Sequence, residues 1–590
     1  MMTVLLAAAA ALSCPVSNGW TLDKAERDVA PGVTEITVRL TSPTNAVPPR
    51  FTLDFDRSGA RADHVWSPYD ERYALRPKEW GARPLASELA FRAPVAAAFA
   101  EDGLNTLAVA CSEAFRKVEY GLTIGASDCR LYGSFAFFSK PEPMRRDYAV
   151  TVRLDARRVP WSEAVRSASD WVAETARLEA ADVPEAAYDP VYSTWYAYWQ
   201  DVRADELERD IAIGAALGMR TAILDDGWQK ERSFSTYSAT GDWRPVAKRF
   251  PDMRAHVAKV HSLGVRYLLW MSVPFVGIES QAWIRFKDKF LNRPGTGPGA
   301  VGVLDPRFPE VRAYLIATYE RAVRDWGFDG LKLDFIDNFK TPERDPAEED
   351  GYAGRDIRFL PEAVDVLMKD VLSHLKAIRP DVLIEFRQHY MGPAIRQYGN
   401  MIRAIDCPGE SSKIRKLVAD LRLTSGKTSV HSDMLVWSPD ETPERAAKPI
   451  LNALFATVQY SMVLNRLPES HKAVIRHWLA FSQAHRETLL KSEFRPHRPE
   501  NQYPLLEAES AGERILAVYA VGTVAPAEGA KRTYVINAAE GGRVVVSCDR
   551  ARRADVYDTF GRLVAQGVPA PAGCTALAVP PSGYADLTCE

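Results

Sequence analysis

Residues 328–335 read Phe-Asp-Gly-Leu-Lys-Leu-Asp-Phe, a short apolar run that ends in a carboxylate and predicts a buried strand. Because side chains alternate along a strand, Lys332 and Asp334 face one way while Leu331 and Leu333 face the other. A cation among apolar residues usually has a carboxylate or a ligand nearby. In a closed parallel barrel, a carboxylate at the end of the inward row lies where such barrels carry out chemistry. The alternative for Asp334 is a helix cap, the commoner role of a lone Asp at a strand end.

The same alternation of strand and helix recurs over residues 190–495. The candidate strands are residues 193–198, 221–224, 266–271, 330–335, 382–386, 401–405, 429–432 and 462–465. Eight strands with intervening amphipathic helices predict a (β/α)8 TIM barrel. A doubly wound open sheet usually carries a Gly-rich phosphate turn after its first strand, and this sequence has none. We therefore expect a closed barrel.

The segments on either side of the barrel read as β structure. Residues 15–157 alternate apolar and polar positions between Pro, Gly and Asn breaks, which predicts an N-terminal antiparallel β-sandwich. Residues 158–189 contain a helical stretch and predict a helical linker. Residues 500–590 return to short strands and predict a small C-terminal antiparallel β domain. A chain of 590 residues is long enough for several such domains.

Composition excludes several classes of protein. Lys and Arg together number 74 and Asp and Glu 77, so the formal charge is −3, which argues against a nucleic-acid partner. Seven scattered Cys without a Cys-x-x-Cys pair predict neither a disulfide framework nor a structural zinc site. No apolar run is long enough to span a membrane, and we expect no cofactor.

The first 14 residues pose a question of targeting. They resemble the apolar core of a signal peptide, but the basic residues that should precede it are missing. They can equally be the first strand of the following domain. We expect a cytoplasmic protein, with a periplasmic or secreted one as the alternative if this stretch is a signal peptide.

Chemically active side chains collect at the carboxyl ends of the predicted barrel strands. From the second to the seventh strand these are Asp225 and Asp226, Trp270, Lys332 and Asp334, Glu385, Arg387 and His389, Arg403 and Asp406, and His431 and Asp433. Two carboxylates that flank a bond are the usual equipment for cleaving a glycoside. Lys332 would keep Asp334 ionised, whereas a carboxyl that acts as the acid needs a raised pKa.

Structural roles compete with these functional ones. Asp226 precedes a Gly and can be a turn residue, and Asp406 and Asp433 can each cap the helix that follows. His389 and His431 can be hydrogen-bonded structural histidines. The paired-His spacing of barrel metallohydrolases is missing, so we predict no metal site.

Two further groups of residues can serve either in packing or in substrate binding. Glu385 and Arg387 alternate onto one face of the fifth strand and can form a buried ion pair. An aromatic cluster near the first strand can be core or a platform for a sugar ring; it comprises Trp195, Tyr196, Tyr198 and Trp199.

Three short motifs resemble those of glycoside hydrolase family 36, the melibiase-type α-galactosidases of clan D. They are Leu-Asp-Asp-Gly-Trp at residues 224–228, Leu-Lys-Leu-Asp at 331–334 and Arg-Ala-Ile-Asp at 403–406. The order of β-sandwich, barrel and small β domain is similar too. The resemblance implies a retaining, exo-acting α-glycosidase that works by double displacement. In it Asp334 would be the nucleophile and Asp406 the acid/base.

The resemblance also implies roles for the residues that bind substrate. Asp225 and Asp226 would hold hydroxyl groups on the far side of the sugar, Trp270 would form an apolar wall, Lys332 would bind a ring hydroxyl and Arg403 would lie near the 2-substituent. We expect Arg387, His389 and Asp433 to complete the substrate-binding set. The substrate would be an oligosaccharide or glycoconjugate, and a homo-oligomer is expected on resemblance alone.

The sequence departs from the family pattern in two places. Residues 385–392 read Glu-Phe-Arg-Gln-His-Tyr-Met-Gly where the familiar α-galactosidases have Cys-Ser-Gly-Gly, and residues 406–410 read Asp-Cys-Pro-Gly-Glu. Both departures bear on the 2-position of the sugar and on the leaving-group side. We therefore expect an α-galactosidase first. The alternatives are an α-N-acetylgalactosaminidase or galactosaminidase, another α-glycosidase or transglycosylase of the clan, and a non-catalytic carbohydrate-binding protein, which would need no pair of carboxylates.

Overall fold

The computed structural model describes residues 10–15, 17–68, 84–140, 142–229, 237–387, 392–529 and 531–589. Its centre is a closed barrel of eight parallel strands. The strands, labelled β1 to β8, are Val191–Ser193, Thr221–Leu224, Arg266–Ser272, Gly330–Asp334, Leu383–Phe386, Met401–Arg403, Ser429–Leu435 and Thr457–Tyr460. Each strand pairs with the next, and β1 pairs in parallel with β8, which closes the ring. The predicted TIM barrel is confirmed.

The first and last strands lie earlier in the chain than the sequence indicated. β1 ends at Ser193, and Trp195–Tyr198, predicted as strand, is a short helix. β8 ends at Tyr460, and the predicted strand at residues 462–465 overlaps a helical turn, Leu464–Arg466. The apolar runs after both strands continue over the top of the barrel, where backbone amides of the short helix donate to the Ser461 hydroxyl. After β8, Met462 and Leu464 are buried there, whereas Trp195–Tyr198 after β1 are only partly buried.

Helices surround the barrel and bury one face on it. Leu360–Ile378 presents Val364, Leu367, Val371 and Leu375 to the core, three to four residues apart, as an amphipathic helix requires. The α-helices of the described residues are Trp161–Thr175, Trp195–Tyr198, Ala204–Leu217, Met253–Ser262, Gln281–Phe286, Pro309–Arg324, Pro346–Glu349, Leu360–Ile378, Ser411–Thr424, Pro443–Ala453 and Glu469–Ala484. A hairpin of Phe275–Gly277 and Val301–Val303 extends the connection between β3 and β4.

The N-terminal region is a sandwich of two antiparallel sheets. One sheet has the strand order Ala10–Ser13, Phe51–Ser58, Arg130–Phe137, Val118–Ile124, Leu85–Ser87. The other has the order Thr21–Ala30, Val33–Ala46, Arg145–Asp155, Asn105–Cys111, Val95–Phe99, His64–Trp66. Alternate residues of both sheets form a core of their own, as the sequence predicted. Ala10–Ser13 is therefore a strand, ahead of residue 15 where the sandwich was predicted to begin; residues 1–9 lie outside the described ranges.

The C-terminal region also consists of two sheets. The larger has the order Glu493–His497, Leu505–Glu509, Glu513–Val518, Arg532–Asn537, Tyr584–Cys589, Arg552–Tyr557, Leu563–Ala570; the smaller has the order Val524–Ala527, Val544–Cys548, Gly573–Leu577. Most pairs are antiparallel, and two pairs are parallel. The small β domain expected here is confirmed, while the numerical boundaries given for the domains stay predictions.

The sandwich reaches the mouth of the barrel. Lys340, in the loop after β4, lies 4.8 Å from the ring centroid of Phe91 of the sandwich. A Cβ atom on Gly392, in the loop after β5, would come within 2.6 Å of the Arg92 carbonyl oxygen. The sandwich therefore supports the two barrel loops that border the candidate site. Among the described residues, no helix combines the length and the apolar character needed to cross a membrane.

Candidate active site

Asp334 ends β4 and is held on both carboxylate oxygens. Trp270 Nε1 donates to Oδ2 at 2.9 Å, and the Phe335 amide and Arg387 Nε donate to Oδ1, each at 2.8 Å. Burial raises the pKa of Asp334, but the charges of Arg387 and Lys332 and these hydrogen bonds outweigh burial and hold the pKa below its usual value. Asp334 is therefore an ionised carboxylate in a fixed orientation, with 3% of its surface exposed.

Asp406 follows β6 and is the more open of the two predicted catalytic carboxylates, with 38% of its side chain exposed. Arg403 Nη2 donates to its Oδ1 at 2.8 Å, and Arg387 Nη1 lies 3.4 Å from its Oδ2. Burial raises the pKa of Asp406, but Arg403, Arg387 and Lys332 together lower it far below its usual value. This is the opposite of the raised pKa that the acid of a glycosidase needs.

Arg387 links the two carboxylates. Its guanidinium contacts Asp334 through Nε and Asp406 through Nη1, and its carbon Cζ lies 5.1 Å from the ring centroid of Phe335. Both carboxylates in turn raise the pKa of Arg387, so the group stays charged. The alternative of a buried pair with Glu385 is wrong, because Glu385 is contacted by Gln459, His431 and Arg403 instead.

Asp225 and Asp226 follow β2 and have separate partners. Lys332 Nζ donates to Asp225 Oδ2 at 2.5 Å. Gln200 and Gln229 donate to the two oxygens of Asp226 at 2.7 and 2.8 Å. Both carboxylates are almost fully buried at the carboxyl end of the barrel. Asp226 is therefore fixed by side-chain contacts, which a residue that only shapes a turn would not need.

Arg403 and Asp433 form the support behind Asp406. Arg403 has no exposed surface and contacts Asp433 and Asp406, so in this arrangement it reaches the cleft only through those carboxylates. Asp433 also accepts hydrogen bonds from the Cys407 amide at 2.6 Å and from the Tyr196 hydroxyl at 3.1 Å.

The capping alternative for Asp406 and Asp433 is wrong. The helix after Asp406 has Glu410 at its N-cap position, and the helix after Asp433 has Thr442 there. Neither Asp lies at the start of a helix, so both remain available to the network around Arg403.

A layer of polar side chains lies beneath the site inside the barrel. His431 Nε2 lies 2.8 Å from the Ala187 carbonyl oxygen, which can only accept, so Nε2 carries the proton and Nδ1 accepts from Gln459 at 3.1 Å. Burial lowers the pKa of His431 to about 4, so the ring is neutral near pH 7. The contacts of His431 are structural. His389, predicted to bind substrate, lies outside the described residues.

Several contacts could not be found by sequence reasoning. Gln200, Gln229 and Tyr196 hold site carboxylates from the loops after β1 and β2. Tyr237 stacks on Trp270 with ring centroids 6.3 Å apart. An amide or a phenol in a loop carries no spacing signal, and only the closure of the ring brings these groups together. Within the described ranges, no group of three or more His, Cys, Asp or Glu side chains is arranged to hold a metal ion.

The fold and this cluster together define the class of protein. A closed parallel barrel between two β regions, with carboxylates and a Trp gathered at the carboxyl ends of its strands, is the architecture of a TIM-barrel glycoside hydrolase. The Melibiase family model matches residues 185–492, which is more than half of the chain. The chain belongs to that family.

Two curated relatives illustrate the range of the family. Alpha-galactosidase Mel36A of Lactobacillus acidophilus is 27% identical over 210 residues, which cover 33% of this chain and 26% of that protein. The A type blood alpha-D-galactosamine galactosaminidase of Flavonifractor plautii is 28% identical over 177 residues, or 26% of this chain and 15% of that protein. The matched segments thus span about a quarter or less of these relatives.

Solved structures match over almost the whole chain. The alpha-galactosidase from Lactobacillus brevis has a TM-score of 0.62 at 14% identity and covers 98% of this chain and 81% of that one. A variant of GH36 alpha-galactosidase AgaA from Geobacillus stearothermophilus, in complex with 1-deoxygalactonojirimycin, has a TM-score of 0.64 at 15% identity and covers 97% and 82%. Further AgaA variants were solved with raffinose and stachyose. At this identity the likeness establishes the fold.

Proposed function

We propose that this protein is a retaining, exo-acting α-glycosidase, and specifically an α-galactosidase. The observation that carries the proposal is the pair of carboxylates at the ends of β4 and β6, Asp334 and Asp406, which contact one guanidinium, that of Arg387. These contacts bring both carboxylates to one guanidinium, as a pair that acts on one glycosidic bond requires. In a retaining enzyme the two carboxyl groups lie roughly 5–5.5 Å apart.

The proposed reaction is a double displacement. Asp334 attacks the anomeric carbon, the bond from that carbon to the glycosidic oxygen breaks, and Asp406 gives its proton to the departing oxygen. Water then attacks the same carbon, Asp406 takes the proton of that water, and Asp334 is released. The low pKa of Asp334 suits the nucleophile, because only the carboxylate attacks.

The choice of galactose rests on the relatives. The named relatives include alpha-galactosidases from several organisms, and related enzymes have been crystallised with raffinose and stachyose, so an oligosaccharide with a terminal α-galactose is the proposed substrate. Among the relatives and structures reported above, α-galactosidases outnumber the galactosaminidase, so the galactosaminidase alternative is not favoured. A homo-oligomer stays a prediction.

The first test is hydrolysis of 4-nitrophenyl α-D-galactopyranoside beside the α-N-acetylgalactosaminide, the α-glucoside and the β-L-arabinopyranoside. We expect a strong preference for the galactoside. Proton NMR of the first product should show the α-anomer, which then mutarotates, because two inversions restore the starting configuration.

Asp334→Ala should abolish turnover, with kcat lower by at least about a thousandfold, because no covalent intermediate can form. Circular dichroism should show the fold unchanged. Asp381→Asn, at an exposed position before β5, is the matched control and should keep full activity. Full activity in Asp334→Ala, or β-anomer as the first product, would overturn the nucleophile assignment.

A further inference from the structure

Arg387 lies where the reacting end of a sugar has to go. In a retaining glycosidase the anomeric carbon lies between nucleophile and acid/base. A guanidinium that contacts both of these carboxylates therefore flanks that carbon, whose ring neighbours are the ring oxygen and C2. The C2 substituent projects from the ring and is the better placed to accept a hydrogen bond. Arg387 comes directly after β5, at the point where the sequence departs from the familiar α-galactosidases.

The contacts of Arg387 differ in strength. Nε donates to Asp334 at 2.8 Å with hydrogen-bond geometry, whereas Nη1 lies 3.4 Å from Asp406 Oδ2, at the distance of an ion pair. The contact with Asp406 is the weaker of the two. A sugar oxygen that competes for Nη1 can replace it while Nε remains on the nucleophile.

The general acid has to be freed before it can work. Among the described residues, the charged and titratable groups around Asp406 include Arg403, Arg387 and Lys332, which favour its ionised form. They also include the carboxylates of Asp433 and Asp334, the latter on the same guanidinium, and the Tyr196 hydroxyl. Arg403 is held from behind by Asp433 and Glu385 and has no exposed surface, so it stays in place. Arg387 keeps 14% of its side chain exposed and is the one of the two arginines that a substrate can reach.

We propose that Arg387 is a substrate-displaced bridge: an acceptor oxygen at C2 of the sugar takes its Nη1 group away from Asp406 and so allows Asp406 to take up the proton that it passes to the leaving oxygen. The inference rests on the proposed α-glycosidase function and narrows its substrate class to glycosides with an uncharged or anionic oxygen acceptor at C2. Arg387 thus recognises the substituent at C2, and the same contact allows Asp406 to become protonated.

The test is a cycle of two substrates and two proteins. The kcat/KM values of 4-nitrophenyl α-D-galactopyranoside and of its 2-deoxy analogue are measured with the wild type and with Arg387→Met. The intrinsic reactivity of the 2-deoxy sugar cancels in the comparison. We expect the preference for the 2-hydroxyl to be about 10–100-fold larger in the wild type, which is the range for hydrogen bonds to charged groups.

A second readout separates this role from a merely structural one. The pH profile of kcat/KM reports groups of the free enzyme, and the pH profile of kcat reports groups of the enzyme–substrate complex. In the wild type, the alkaline limb of the kcat/KM profile should therefore lie at lower pH than the alkaline limb of the kcat profile. Removing the cation in Arg387→Met raises the pKa of Asp406 in the free protein, so the limb of kcat/KM moves to higher pH and the two limbs converge. Arg387→Lys keeps the positive charge but lacks the forked guanidinium, so its separation of the two limbs should lie between that of the wild type and that of Arg387→Met.

A matched control removes another cation at the mouth of the barrel. Lys340 is exposed and lies on Phe91, so Lys340→Met should leave both the substrate ratio and the two limbs unchanged.

The outcomes separate the inference from the function on which it rests. Hydrolysis with an equal 2-hydroxyl preference in wild type and Arg387→Met, or with coincident limbs in the wild type, overturns the bridge and leaves the glycosidase intact. If no glycoside is cleaved, binding of methyl α-galactoside and its 2-deoxy analogue is followed by Trp fluorescence. If the wild type binds the 2-hydroxyl sugar more tightly and Arg387→Met does not, the contact between Arg387 and C2 is supported although the glycosidase function is not. If neither sugar binds, both the contact and the proposed function are overturned.

Discussion

At the scale of single residues, the indole of Trp270 has a second role beside packing. Trp270 was expected to be an apolar wall, but it also donates its N–H to Asp334 Oδ2, and its own carbonyl accepts from Trp228 Nε1 at 3.0 Å. The ring is 1% exposed, so the hydrogen bond to the carboxylate is shielded from water. Trp270 therefore orients Asp334, the proposed nucleophile, as well as lining the site.

Trp270→Phe keeps the apolar wall and removes the donor. We expect kcat/KM to fall about 10-fold, because a hydrogen bond to a charged group contributes about 1.5 kcal/mol or more. The N–H lowers the pKa of Asp334, so its loss raises that pKa, and the acidic limb of kcat/KM should move to higher pH.

Trp243→Phe provides the comparison for this prediction. Trp243 packs 6.1 Å from Trp270, between ring centroids, and its replacement leaves the Trp270 N–H on Asp334. It should leave the acidic limb in place. An unchanged limb in Trp270→Phe would show that the hydrogen bond has no electrostatic effect on Asp334.

At the scale of elements, the turn after β2 depends on one glycine. Gly227 has φ +119°, and a Cβ atom there would lie 2.5 Å from the Gln200 carbonyl oxygen. The Gln200 side chain holds Asp226, so the turn and the loop after β1 fix each other. The close approach sets the position of both carboxylates that follow β2.

Gly227→Ala should therefore disturb the site more than a typical glycine substitution. Gly264 also has a positive φ, +73°, but nothing lies within 4 Å of its Cβ position, so Gly264→Ala should cost about 1–2 kcal/mol of stability and keep activity. Gly227→Ala should cost more and lower kcat/KM about 100-fold, because Asp225 and Asp226 shift. Chemical denaturation and kinetics on both variants measure this; equal effects would contradict the close-approach argument.

At the scale of the whole molecule, one buried carboxylate joins the three regions. Asp420, on the barrel helix Ser411–Thr424, accepts at Oδ1 from Trp66 Nε1 of the sandwich at 3.0 Å and from the Tyr503 hydroxyl of the C-terminal region at 2.5 Å. Burial raises the pKa of Asp420 from 3.8 to about 6, despite these donors. The junction thus contains a group that titrates in a mildly acidic range.

This junction predicts a pH dependence of stability. Because the folded protein holds the Asp420 proton more tightly than the unfolded chain, the contribution of Asp420 to stability falls as pH rises from about 4 to 6. The change from 3.8 to about 6 corresponds to about 3 kcal/mol. Asp420→Asn keeps an oxygen for both donors and does not titrate.

The difference in Tm between Asp420→Asn and the wild type should therefore increase from pH 4 to pH 7. Asp381→Asn, at an exposed position, gives the same comparison without the junction and should show no such increase. A Tm difference for Asp420→Asn that is independent of pH would refute the linkage.

The amino-acid sequence was sufficient to predict the barrel, its flanking β regions and most of the strand ends. Alternation of apolar residues fixes which side chains face inward, so the direction of Lys332 and Asp334 followed from residues 328–335 alone, and Lys332 Nζ does point to an inward carboxylate. The ends of β1 and β8 were misplaced, because the runs that follow them are as rich in apolar and aromatic residues as a strand, although the run after β1 is only partly buried.

The pairing of the side chains at those strand ends depends on the folded structure. Arg387, directly after β5, could have paired with Glu385 two residues before it, but the barrel brings Asp334 and Asp406 to it from β4 and from the end of β6. Which charged groups pair depends on their distance in space. The barrel geometry sets the distance between neighbouring strands, and the number of residues between those strands does not. For that reason the carboxylates were foreseeable, and the guanidinium that joins them was not.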